Sequence, residues 1–112
     1  MSNSFKNSKV DLTTTDNTVL YTVPAESTAI VKSILVSNDD ASNACEITVT
    51  LLNTGNAVFS LFKSKNIGTN ATEQLLTEPL ILQESEILKV TATTADRLHV
   101  VASILEINRE DR

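Results

Sequence analysis

The stretch that decides the fold runs from Tyr21 to Asn38, YTVPAESTAIVKSILVSN. Tyr21, Thr22 and Val23 continue an alternation that begins at Val19, and Pro24 ends it by removing a backbone donor. Ala25, Glu26 and Ser27 then supply a short polar turn. A long strand opens at Thr28, with Ile30, Lys32, Ile34 and Val36 on one side and Val31, Ser33, Leu35 and Ser37 on the other. Its β-branched residues suit a pleated, half-buried surface. The pattern predicts an antiparallel hairpin at the centre of an all-β domain.

Working outward, the same period of two returns in later segments. Cys45, Ile47, Val49 and Leu51 point one way while Glu46, Thr48 and Thr50 point the other. Asn53-Thr54-Gly55-Asn56 reads as a hairpin turn, with Gly55 expected to take a positive φ. Ala57 to Lys63 follows as a strand with an aromatic on each face, Phe59 on one and Phe62 on the other. Ser64 to Thr77 reads as irregular, and a short strand is expected over Leu80 to Gln83. Ile87 to Thr93 and Leu98 to Ile107 close the chain as strands. In the last, Leu98, Val100, Ala102 and Ile104 share one face, and Val101, Leu105 and Ile107 share the other with His99 and Ser103. Lys9 to Thr13 and Thr18 to Val23 are the first two strands. Turn signals fall every eight to twelve residues or so, and no window sustains helical periodicity. The expected class is therefore an antiparallel β-sandwich or jelly-roll-like domain of about seven or eight strands. Its boundaries are 9–108, with a flexible N-terminal arm over 1–8 and a charged tail over 109–112.

Composition narrows what such a domain can do. The chain has 112 residues, is 41% apolar but only 4% aromatic, and has no Trp, so Val, Ile, Leu and Ala must build its core. A formal charge of −5 and scattered Lys and Arg speak against a nucleic-acid partner, which needs concentrated cations. One cysteine excludes an intrachain disulfide. No apolar run is long enough for a secretory signal or a membrane span, so synthesis in a reducing cytoplasm is expected.

Residues with chemistry are sparse. His99 is the sole histidine and sits within a strand, where a triad would need a nucleophile and an orienting carboxylate beside it. Cys45 occupies a core position and reads as a small hydrophobe. Asp39, Asp40 and Glu46 could offer oxygen ligands to Ca²⁺, yet they lack the spacing and central glycine of an EF-hand and read as solvated turn carboxylates. Glu73, Glu78, Glu84 and Glu86 lack the aromatic platform of a sugar-cleaving cleft. Neither catalysis nor a metal or cofactor is expected. The candidate interface residues are Phe5 in the arm, Phe59 and Phe62, and Val101, Leu105 and Ile107 on the last strand.

The run TVLYTVPAESTAIVKSILVSN, Thr18 to Asn38, resembles a recurrent pattern, YTVPAGKTAIVKSI.VTN, of small virion structural proteins of tailed bacteriophages. PLILQESEILKVTA from Pro79 to Ala92 and LHVVASILEI from Leu98 to Ile107 are similar to the closing strands of those modules. Two turn glycines of the pattern are replaced, by Glu26 and by Ser85. The resemblance implies a β-sandwich subunit of the virion, assembled in the host bacterial cytoplasm. Its role would be a capsid decoration or cement protein bound to the major capsid protein on the outer head surface, or a neck, tail or fibre component. A homo-oligomer, with a trimer as the expected state, follows by analogy with phage surface proteins. A receptor- or carbohydrate-binding module is the other reading, with the loop from Asn38 to Asn43 as its site.

Overall fold

The longest apolar alternations become the two central strands of one sheet. The computed structural model describes residues 2–109. Its strands are β1 (Ser2–Asp11), β2 (Thr18–Thr22), β3 (Ser27–Asn38), β4 (Cys45–Leu52), β5 (Val58–Ile67), β6 (Thr72–Gln74), β7 (Leu80–Leu82), β8 (Ile87–Ala92) and β9 (Leu98–Asn108). The first sheet has the order β1-β9-β3-β6, with β7 also against β3, and the second has the order β2-β8-β4-β5. All pairings are antiparallel. β6 pairs with Leu35–Ser37 and β7 with Ala29–Val31, so the two short strands share one edge of β3. Two four-position sheets wound in this order make a jelly roll.

The core lies between the sheets. Ala29, Val31, Ile34 and Val36 of β3 and Leu98, Val100, Ala102 and Ile104 of β9 meet Ile47 and Val49 of β4 and Leu88 and Val90 of β8, all buried. The expected inward faces of β4 and β9 are those seen. In β3 the strict alternation fails at Lys32, where the register shifts between Val31 and Ser33. This bulge moves the inward set from Ala29 and Val31 to Ile34 and Val36 and leaves Lys32 outside. A second bulge in β2, between Val19 and Tyr21, buries Leu20 and Tyr21 although they are adjacent in sequence.

Residues expected to form an arm are instead strand. Ser2–Asp11 pair without interruption against Asn108–His99 of β9. The segment looks unstructured in sequence because an edge strand needs few apolar contacts. Three contacts tie β1 down: Val10 packs on the core, Ser8 Oγ donates to the Leu20 carbonyl, and Lys6 Nζ lies 3.1 Å from Glu106 Oε1. Of the expected tail, Arg109 is described and 110–112 lie outside the described residues; expected residue Met1 of the arm does too. The region read as irregular contributes the end of β5 and all of β6.

The turns also differ from expectation. Gly55 has no positive φ; the left-handed residue of that turn is Asn56, at 64°. Asn53 Oδ1 accepts the N–H groups of Gly55 and Ala57 and so shapes the turn by itself. Glu26 and Ser85, which replace glycines of the virion-protein pattern, keep the left-handed backbone at 62° and 68°. Their turns lie side by side: Ser85 N–H donates to the Val23 carbonyl and Glu26 N–H to Glu84 Oε2. Arg109 closes the group, its N–H on the Glu26 carbonyl at 2.7 Å and its guanidinium on Glu84 at 3.0 Å.

Candidate functional site

The outer face of the first sheet carries the feature that the core does not explain. Directly opposed residues of neighbouring strands put their side chains on the same face. Phe5 of β1 is opposite Leu105 of β9, Leu105 is opposite Ile30 of β3, and Ile30 is opposite Ile81 of β7. Four apolar side chains thus form one row across four strands, about 15 Å long at the usual strand spacing. Its two ends are the most open, with Phe5 75% and Ile81 54% exposed. Ile107, opposite Asn3 and Thr28, flanks the row on one side. Val101, opposite Lys9 and Leu35, lies on the other side, and Val101 and Leu35 are both exposed.

Charge on this face is mostly positive. The bulge that displaces Lys32 from the core side lets its ammonium lie 5.9 Å from the centroid of the Phe5 ring. Phe5, Asn7, Lys32 and Ser103 line an open groove of about 340 Å³ there. Lys9 stands one row further on, and Asp11 is matched by His99 at 3.3 Å. A second groove holds that His–Asp pair, and Lys9, Val10, Val100 and Val101 complete its lining, so among the described residues that line it none is a Ser, Thr or Cys nucleophile.

The structure divides the six expected interface residues into two groups. Phe5, Val101, Leu105 and Ile107 meet on this outer face, although they come from opposite ends of the chain. Phe59 and Phe62 belong to β5 in the other sheet. They were expected on opposite faces, yet Phe59 is opposite Leu51 and Phe62 opposite Val49, which share the inward face of β4. One extra residue, Leu61, between the pairs Thr50–Ser60 and Val49–Phe62 causes the change. Phe62 packs on the core, and Phe59 remains 52% exposed at the open end of the sandwich. Ile30 and Ile81 were missed. The signal was present in the alternation of β3, but only the register against β7 and β9 shows that they align with Phe5.

The remaining polar clusters hold the fold. Asp40 accepts from the N–H groups of Ser42 and Asn43, with its other oxygen 3.2 Å from Arg97 Nε. Those N–H bonds first, and Arg97 after them, hold the Asp40 carboxyl below its ordinary range. Buried Asn38 donates to the carbonyls of Asn43 and Ile67, joining the loops at that end. In the Asn38 to Asn43 loop the side chains of Asn38 and Asp40 are therefore engaged within the fold. Glu84 is likewise held low, by the Glu26 N–H and then by Arg109. Tyr21 donates its hydroxyl to Glu106, and burial, then that bond and the carboxylate charge, push the phenol pKa upward. Cys45 is buried, its Sγ 3.5 Å from Thr93 Oγ1. Among the described residues no three His, Cys, Asp or Glu side chains gather as a metal site.

No protein-family model matches the sequence. No curated protein matches it. Solved structures resemble it in three dimensions. A chain of the T13 IBDV viral particle matches 93% of this chain with a TM-score of 0.57 and 7% identity, and this chain spans 30% of that one. A chain of infectious bursal disease virus Gt strain matches 100% with a TM-score of 0.46 and 10% identity, with 32% of that chain spanned. A pentameric capsid protein from metagenomic phage sequences matches 89% with a TM-score of 0.46 and 16% identity, and 59% of it is spanned. At such identities the likeness is one of fold alone, and the T13 particle chain carries it.

Proposed function

We propose that this chain is a non-enzymatic structural subunit of a tailed-phage virion, a capsid decoration or cement protein. In this reading it seats the outer face of its first sheet on the major capsid protein. The observation that carries the reading is the in-register row Phe5–Leu105–Ile30–Ile81. A scattered exposed apolar residue is ordinary, whereas a contiguous row across a sheet marks a docking surface. β1, β9 and β3, of ten to twelve residues, with the three-residue β6 and β7 along one edge, present on the order of 600 Å², somewhat below the roughly 800 Å² per partner of a stable interface. Lys9 and Lys32 at its border suit a partner that combines apolar and acidic side chains.

The jelly-roll winding and the resemblance of Thr18–Asn38 to phage virion modules support the same reading. Attachment at neck, tail or fibre would use the same surface on a different partner. The test is reconstitution: heads assembled without this chain are mixed with purified protein and heated or diluted out of salt. Saturable binding with a raised temperature of DNA release is the expected result. Heads that neither bind the protein nor gain stability, with binding to tails instead, would sink the cement role.

A further inference from the structure

Four strand edges border the two sheets, and three are interrupted. β2 has five residues and a register shift, β5 shifts twice against β4, and β6 and β7 have three residues each. β1 differs from all of them. Its ten residues pair with β9 without a shift, and it contains neither Pro nor Gly. Proteins blunt long regular edges with bulges, Pro or charged side chains, because an open ladder recruits another strand. Of the charges on β1, Lys6 lies against Glu106 and Asp11 against His99, which leaves Lys9.

The phase of the ladder is fixed by Leu12, whose N–H donates to the Leu98 carbonyl at 3.0 Å. Antiparallel bonding alternates, so even-numbered residues of β1 exchange bonds with β9. The backbone N–H and C=O groups of Asn3, Phe5, Asn7 and Lys9 therefore point to the open side. From this geometry we infer that β1 pairs antiparallel with β1 of a second copy, about a two-fold axis through Asn7.

Charge selects that register. Pairing about Asn7 sets Phe5 opposite Lys9 and Asn3 opposite Asp11 of the second copy, a cation–π neighbour and a neutral–acidic pair. Centring one residue earlier sets Lys6 against Lys6, and two residues later sets Lys9 against Lys9, both unfavourable. Centring at Ser8 avoids this but shortens the overlap. The favoured dimer fuses two first sheets into one, with the apolar row of each copy ending at Lys9 of the other. It does not depend on what that outer face binds.

Register-specific cross-linking tests it. Asn7→Cys places two thiols on the axis, where opposed Cα atoms about 5.5 Å apart fall within disulfide reach. Asn3→Cys places them eight residues apart along the strands, about 27 Å. Native Cys45 is buried, so the unsubstituted chain is the control. Under mild oxidation Asn7→Cys should cross-link to a dimer at least tenfold faster than Asn3→Cys. In sedimentation the unsubstituted chain should show a concentration-dependent dimer that Asn7→Pro shifts toward monomer, with the fold of that variant checked by circular dichroism. Equal cross-linking of the two cysteine variants, or an unsubstituted chain that stays monomeric to millimolar concentration, would overturn the proposal.

Discussion

The two faces of the first sheet are built from the same three long strands yet meet different fates. Inward, Ala29, Val31, Ile34, Val36, Val100, Ala102 and Ile104 are covered by the second sheet and are at most 1% exposed. Outward, Phe5, Ile30, Leu105 and Ile81 are nearly as apolar and have no covering layer among the described residues. The inner face therefore supplies folding energy, while under the proposed function the outer face keeps its hydrophobic free energy for a partner. Fully covering one such side chain is worth about 1.5–3 kcal/mol.

Breaking the inner face should have the largest effect on the isolated chain. Ile34→Ala leaves a void between closely packed strands and should destabilise by about 2–4 kcal/mol in urea unfolding. If it costs no more than an outer-face change, the division between faces is wrong.

Next comes the contact that ties the two sheets together along β1, β9 and β2. Tyr21→Phe removes the hydroxyl bond to Glu106 and should cost about 1–2 kcal/mol at neutral pH. The folded phenol titrates above its ordinary value of 10.0, so the fold favours the protonated form. That contribution is complete below pH 10.0 and is lost as pH rises beyond it. The unsubstituted chain should lose stability faster than Tyr21→Phe above that pH. Parallel alkaline curves would remove Tyr21 from the account.

A smaller effect of opposite sign is expected at the paired turns. Glu26→Gly and Ser85→Gly relieve left-handed strain at 62° and 68° without removing the N–H of either turn. Each should stabilise by roughly 0.5–1 kcal/mol once the flexibility of glycine in the unfolded chain is offset. At the same end, Glu84 titrates below the ordinary carboxylate range. Its contribution is present above that range and is lost as pH falls through the folded value. Glu84→Gln should flatten the acid limb of the stability curve.

Outer-face substitutions should do least to the isolated chain. Phe5→Ser and Ile81→Ser are expected to change unfolding free energy by no more than about 0.5 kcal/mol, while weakening attachment to the particle at least tenfold. Equal loss of stability and attachment would make the row part of the fold and remove the contrast.

Much of the inner face is legible in the sequence. β4 and β9 alternate cleanly enough to assign every inward residue, and their turns carry familiar polar signals. What escapes notice is set by register. A bulge adds one residue without any required residue type, so neither Lys32 in β3 nor Leu61 in β5 announces itself. The face of every residue beyond such a point is then reversed, as happened with Phe62. The end of β1 shows in Val10 and the Leu12 that follows, and Lys9 to Thr13 reads as a strand, but Ser2 to Ser8 was hidden for a different reason: its partner β9 lies at the other end of the chain, and its edge position removes the apolar alternation that marks a strand. The outer row combines both difficulties, joining Phe5, Ile30, Ile81 and Leu105 through pairings between segments far apart in sequence.

Cryo-electron microscopy of the assembled virion tests the central claim most directly. The account predicts density for this jelly roll on the outer head lattice, with Phe5, Ile30, Leu105 and Ile81 against the major capsid protein and the second sheet toward solvent. Copies confined to neck or tail, or a lattice-bound chain whose row faces solvent, would contradict it.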